Sequence, residues 1–225
     1  MTGFRFRTLA LASMLASGAA AAPLAAQASG RSDLLDRAVT AWSHVKTARA
    51  TFNQTIVNPL TDQTLTSSGE YQQKRPGKLS VRFNDPATDR IVADGKHVWL
   101  YLPSTTPGQV IRSRLGEGGT GTVDLSAQFL TSPRSRYDIT ALGAKTVAGR
   151  ATHAYRLVPK AGHEAPFKTA IVYIDDADAS VRQFAVTEPS GIQRTVTLTS
   201  FRANVPVDAS AFTFTPPADT RIVDR

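Results

Sequence analysis

The sequence predicts a mainly β (α+β) fold built on one long antiparallel sheet. Three observations predict it. From Ala50 onward apolar residues recur with a period of two, in short runs joined by brief connections, several of which carry turn residues. Ahead of that run, Leu34, Leu35, Ala38, Val39, Trp42 and Val45 recur at helical spacing. Midway, a second short helical stretch interrupts the strands at 123–132. A meander of this kind closes into a large sandwich or a barrel-like sheet.

The chain has 225 residues. Its first 28 residues read as a secretory signal peptide: Arg5 and Arg7 are basic, Leu9 to Ala22 is a small-residue apolar run, and Ala26-Gln27-Ala28 is an A-x-A cleavage site. The apolar run is too short and too weakly apolar for a membrane anchor. Cleavage before Ser29 leaves residues 29–225 as a single domain, released without an anchor. Cysteine is absent, which excludes a lipidated N-terminus and leaves the core to hold the domain together. The formal charge of +8 falls to +6 without Arg5 and Arg7. No run of five like charges occurs and no basic run is interleaved with aromatics, which argues against a nucleic-acid partner.

In chain order, Ser32 is positioned to cap a helix that begins near Asp33 and runs through Ala48. Its apolar stripe must lie on something. Candidate strands follow at 51–57, 64–75, 79–84, 88–93, 97–102, 109–114, 136–142, 145–148, 151–159, 168–175, 180–187 and 192–202. Pro76, Gly77 and Lys78 are read as a three-residue turn, which opposes Arg75 to Leu79, Gln73 to Val81 and Tyr71 to Phe83. One face of that hairpin then carries an arginine among apolar residues. Asp94-Gly95 is read as a two-residue turn. Ile91, Ala93, Val98, Leu100 and Leu102 then share one face, and Arg90, Val92, His97, Trp99 and Tyr101 the other. A glycine loop at 115–122 precedes a short helix with Leu125, Phe129 and Leu130 apolar, which Pro133 ends.

Catalytic and metal chemistry find little support. The G-x-G-x-x-G match at Gly116–Gly121 lacks the parallel βαβ unit that a dinucleotide site requires. Asp175, Asp176 and Asp178 crowd one turn, but Val181 and Thr187 stand where a calcium loop needs Gly and Glu. The cluster is read as a solvated hairpin turn. His44, His97, His153 and His163 show no metal-ligand spacing, and no G-x-S-x-G elbow occurs. No metal site is read from these residues, and a Ser–His–Asp arrangement drawn from distant strands stays open, with nothing pointing to one.

Several segments together resemble the LolA family of periplasmic outer-membrane lipoprotein carriers. They are FNQT at 52–55, YQQKRPGKL at 71–79, IVADGKHVWLYLP at 91–103, VDLSAQFL at 123–130 and FTFTPP at 212–217. The resemblance implies an incomplete antiparallel β-barrel of about eleven strands, with helices as a lid over a hydrophobic cavity. It implies a monomeric carrier, without cofactor or catalysis, that takes lipoprotein acyl chains from an inner-membrane ATP-driven complex and passes them to an outer-membrane receptor, LolB or its equivalent. On this basis Tyr71, Leu79, Val81, Phe83, Ile91, Val98 and Leu100 are expected to line the cavity. Leu35, Trp42, Val45, Leu125, Phe129 and Leu130 are expected in the lid. Arg75 matches the arginine that, in the family, hydrogen-bonds lid backbone carbonyls and holds the empty carrier closed. Two other readings stand beside it: a lipid-sensing periplasmic module on the same architecture, and a hydrolase with an unrecognised site.

Overall fold

Eleven strands form two antiparallel meanders that meet edge to edge. The computed structural model describes residues 24–116, 124 and 126–225. Leu125, most of the glycine loop and residues 1–23 of the expected signal peptide lie outside the described residues. The first meander comprises β1 (Thr47–Asn58), β2 (Gln63–Lys74), β3 (Lys78–Asp85), β4 (Arg90–Asp94), β5 (His97–Tyr101) and β6 (Gln109–Arg114). The second comprises β7 (Tyr137–Val147), β8 (Arg150–Pro159), β9 (Thr169–Asp175), β10 (Val181–Thr187) and β11 (Gln193–Ala203). β1 pairs with β11, and a twelfth strand, β12 (Arg221–Asp224), adds in parallel to β6. The sheet order is β12-β6-β5-β4-β3-β2-β1-β11-β10-β9-β8-β7, an open sheet.

This order explains the lid. β6 lies near one edge of the sheet and β7 forms the other edge. Of the segment joining them, α2 (Ala127–Leu130) and α3 (Pro133–Arg136) are described, and buried Phe129 sets α2 against Phe184 of the sheet. The N-terminal helix α1 (Leu24–Ser43) supplies the other covering element.

Several expectations are corrected here. The helix expected over 33–48 runs from Leu24 to Ser43, so Ser32 is not its cap. It stops at Ser43 because the chain from Thr47 is claimed on both sides, by Lys74 of β2 and, from Ala48, by Ala203 of β11. Val45 therefore sits in the connector, still buried. Pro133 does not end α2. It opens α3 at a position where its missing N–H costs nothing, after a left-handed Ser132. Segments 136–142 and 145–148 are one strand, β7, with a ladder irregularity between Ala141 and Gly143.

Both hairpin registers also differ from expectation. Lys74 pairs with Lys78, Gln73 with Leu79 and Tyr71 with Val81, so the turn is Arg75-Pro76-Gly77. Ala93 pairs with Val98 and Ile91 with Leu100. Asp94 Oδ1 accepts from the N–H groups of Lys96 and His97, which moves that turn to Gly95-Lys96. Each register moves by two residues, so every side chain keeps its expected face.

Six basic residues are brought into facing pairs across neighbouring strands. Arg49 opposes Arg202, Lys74 opposes Lys78, and Arg82 opposes Arg90. All lie on the side of the sheet away from Ala48, Ala50, Tyr71, Leu79 and Val81, which are buried.

Gly69 shows how tightly β2 and β3 fit. A Cβ there would lie 2.2 Å from the Arg82 carbonyl oxygen and 2.9 Å from the Phe52 ring. Phe52 in turn meets Phe83 edge to face, with centroids 5.7 Å apart. Gly69→Ala is expected to destabilise the fold by about 1–3 kcal/mol, as overpacking against fixed backbone does. A urea unfolding midpoint unchanged from wild type would refute this.

Candidate functional site

An apolar cavity of about 300 Å³ lies between the sheet and α2. Its walls come from both meanders. Phe52 (β1), Tyr71 (β2), Val81 and Phe83 (β3) and Ile91 (β4) form one side. Phe184 and Val186 (β10), Val196 and Leu198 (β11), and Pro166 and Phe167 from the β8–β9 connection form the other. The strand period of two aims the strand residues among these at one face. Gln128 of α2 reaches the same space.

α2 is a single turn, and its apolar side chains fix it in place. Phe129 is fully buried, 5.7 Å from the Phe167 ring and 5.2 Å from the Phe184 ring. Tyr137 packs against Phe167 with ring centroids 5.6 Å apart and donates its hydroxyl hydrogen to the Gln128 carbonyl at 2.7 Å. Aromatic pairs at such distances contribute about 0.5–1.5 kcal/mol each beyond their burial. Leu130 packs in the same core with Leu35, Trp42 and Val45.

A polar chain ties β2 to both covering elements. The Tyr71 hydroxyl donates to Gln73 Oε1, and Gln73 Nε2 donates to Asp124 Oδ2 at 2.6 Å. Arg75 reaches the same oxygen from Nε at 2.9 Å and from Nη2 at 2.8 Å. Its Nη1 donates to the Trp42 carbonyl of α1 at 2.8 Å, and its guanidinium lies 4.2 Å from the Trp42 ring centroid. Asp124 Oδ1 accepts from the backbone N–H groups of Ser126 and Ala127 at 3.1 and 2.9 Å, holding the start of α2. Burial pushes the Tyr71 phenol well above its ordinary value; the Asp124 charge adds to this and the Arg75 charge partly offsets it. Tyr71 stays a neutral donor. Close by, Trp42 Nε1 is buried with no hydrogen-bond partner among the described residues.

Of the residues expected in the cavity wall, the structure gathers Tyr71, Val81, Phe83 and Ile91. Leu79, Val98 and Leu100 belong to the adjoining core instead. Leu79 and Val98 lie next to the hairpin turns, and Leu100 lies one strand farther toward the edge than Ile91. Phe52, Phe184, Val186, Val196 and Leu198 were not singled out from sequence, nor was Asp124. Arg75 meets one lid carbonyl, as the resemblance implied, but its nearest charged partner is the Asp124 carboxylate.

The acidic turn is solvated only in part: Asp178 is exposed and Asp176 half-buried, but Asp175 is buried. Asp175 is about 1% exposed and accepts from Arg150 Nε at 2.7 Å and Arg182 Nε at 2.9 Å. Asp178 accepts from Arg182 Nη2 at 2.6 Å, and Asp176 pairs with His153 Nδ1 at 2.6 Å. The cluster is a structural ion-pair network at the β9–β10 turn.

The family model described as "Outer membrane lipoprotein carrier protein LolA" matches residues 43–215. An outer-membrane lipoprotein carrier protein of Leptothrix cholodnii is 29% identical over 223 residues, covering 99% of this chain and 96% of that protein. The corresponding protein of Proteus mirabilis is 28% identical over 202 residues, covering 89% and 91%. Among solved structures, an uncharacterized conserved protein from Thermus thermophilus has a TM-score of 0.53 at 16% identity, covering 87% of this chain and 99% of that one, which shows a shared fold.

Proposed function

Because the chain belongs to the LolA family of outer membrane lipoprotein carrier proteins, we propose that it carries lipoprotein acyl chains across the periplasm. In this reading residues 29–225 are the mature domain, exported and cut before Ser29. It works as a monomer without catalysis. It receives cargo from an inner-membrane ATP-driven releasing complex and hands it to an outer-membrane receptor, LolB-like or equivalent. No helix among the described residues is long and apolar enough to cross a membrane.

The observation that carries this reading is the apolar cavity between the two meanders, bordered by Gln128 of α2. At about 300 Å³ it sits at the lower end of ligand-pocket volumes, roughly 300–1,000 Å³. Each methylene buried there contributes about 0.8 kcal/mol. A long acyl chain would then bind too tightly to be passed on, unless binding had to break something. The Arg75–Asp124–Trp42 contacts supply that opposing term. Hydrogen bonds to charged groups contribute roughly 1.5–3 kcal/mol each to the closed state. The lid is thus held by a modest margin, which suits a carrier that must load and unload.

Spheroplasts of the source organism test the proposal. Added purified mature protein is expected to release newly made lipoproteins from the membrane in a soluble, ATP-dependent complex. No release, with export confirmed by a known carrier, would reject shuttling and favour a lipid-sensing module on the same fold.

A further inference from the structure

The apolar cavity has one ion pair in its wall. Arg194, at the start of β11, donates from Nη2 to Glu188 Oε1 and from Nη1 to Gln54 Oε1, each at 3.2 Å. Gln54 Nε2 donates to Ser67 Oγ at 3.0 Å, which turns its carbonyl oxygen toward Arg194. Arg194, Glu188 and Gln54 all border the cavity together with Phe83, Val186 and Val196.

This pair is loosely held. Charge-assisted bonds of this kind usually measure about 2.7–2.9 Å. Arg75–Asp124 at 2.8 Å and Arg150–Asp175 at 2.7 Å fall in that range, whereas Arg194–Glu188 does not. Both side chains also stay partly open to solvent, 36% for Arg194 and 27% for Glu188. A guanidinium held this way can exchange one anionic partner for another, because its fork presents donors to any carboxylate or phosphate.

We propose that the cavity binds single-chain amphiphiles with an anionic oxygen head, the head replacing Glu188 at Arg194 while the chain lies against Phe83, Val186 and Val196. This rests on the reading of the cavity as an acyl site and adds a preference for the head. Glu188 acts as a stand-in anion that keeps Arg194 neutralised when the site is empty. In this closed state the cavity, at about 300 Å³, has room for one chain at most, so single-chain probes test the head without requiring the lid to open widely.

The test compares palmitate, hexadecyl phosphate and hexadecanol, each below its aggregation limit, by calorimetric titration of the purified protein. At least one of the two anions is expected to bind about tenfold more tightly than the alcohol. Which anion does so identifies the head as carboxylate or phosphate. In Arg194→Gln the ratio of anion to alcohol affinity is expected to fall to about one. In Glu188→Gln that ratio is expected to rise severalfold. Equal binding of all three probes, or a ratio indifferent to both substitutions, overturns the head preference and leaves the acyl cavity standing. Binding of none of them overturns the acyl cavity itself.

Discussion

Arg75→Leu protein is expected to load lipoprotein and then fail to release it to an outer-membrane acceptor. The guanidinium makes its contacts with Asp124 and the Trp42 carbonyl only while α1 and α2 lie over the sheet. The Arg75 and Asp124 side chains are partly exposed, so solvent screens the pair and the lower end of the usual range applies. Together the contacts favour the closed, empty state by about 2–4 kcal/mol. Removing them removes a cost that cargo would otherwise meet on entry. Cargo affinity then rises by roughly 30- to 1,000-fold, and the gain appears as slower release. Asp124→Asn is expected to move in the same direction by less, since the amide oxygen still accepts hydrogen bonds at the start of α2. The measurement is transfer from loaded carrier to outer-membrane vesicles over time. Delivery by Arg75→Leu at the wild-type rate would refute the latch.

Asp175→Ala is expected to cost the fold about 3–5 kcal/mol, the usual penalty for removing one partner of a buried ion pair. In a domain of this size that lowers the melting temperature by roughly 6–20 °C. Arg182 is itself nearly buried and would keep only Asp178. The same network sets a pH dependence. Burial pushes the Asp175 carboxyl up, but hydrogen bonds from Arg150, the Ala177 N–H and Arg182 outweigh this and hold it at about 2, against an ordinary 3.8. A depressed carboxyl stabilises the fold fully above its unfolded value. That contribution, about 2 kcal/mol, is lost as pH falls from about 4 toward 2. Asp175→Asn should flatten the acid limb of a stability–pH curve. A limb of unchanged slope in that variant would show that Asp175 does not set it.

Much of the fold was legible because strand alternation survives errors of register. The turns Arg75-Pro76-Gly77 and Gly95-Lys96 each lie one residue from the expected place, which shifts the pairing by two, yet the Tyr71, Val81, Phe83 and Ile91 face came out right. Turn residues mark a hairpin, but local side-chain hydrogen bonds such as those of Asp94 decide where it closes. The far wall was not legible for a different reason. Phe184, Val196 and Leu198 reach the cavity only because β11 pairs with β1, a contact between distant parts of the chain that no local pattern encodes. Asp124 lies 49 positions from Arg75, at the end of a glycine-rich stretch that reads as spacer. β12 is four residues long and parallel, too short for alternation to show.

The C-terminal segment has a mechanical consequence. After β11 it passes over the outer side of β3 and β4, where the short 3₁₀ turn at Ala209–Phe212 packs. Phe212 is buried there, and Phe214 lies 5.8 Å from Trp99 and 5.9 Å from Tyr101. It ends as β12 against β6, where Arg112 grips Asp224 with two hydrogen bonds. Ser80 and Val92, on the outward side, are buried as a result. β3 to β6 are therefore splinted on their outer side, whereas much of β7, at the opposite edge, is open to solvent. The sheet behaves as a plate clamped along one margin. If the proposed carrier widens to admit cargo, the β7–β10 side is expected to bend, while the splinted side, with Val81, Phe83 and Ile91, stays as the fixed jaw.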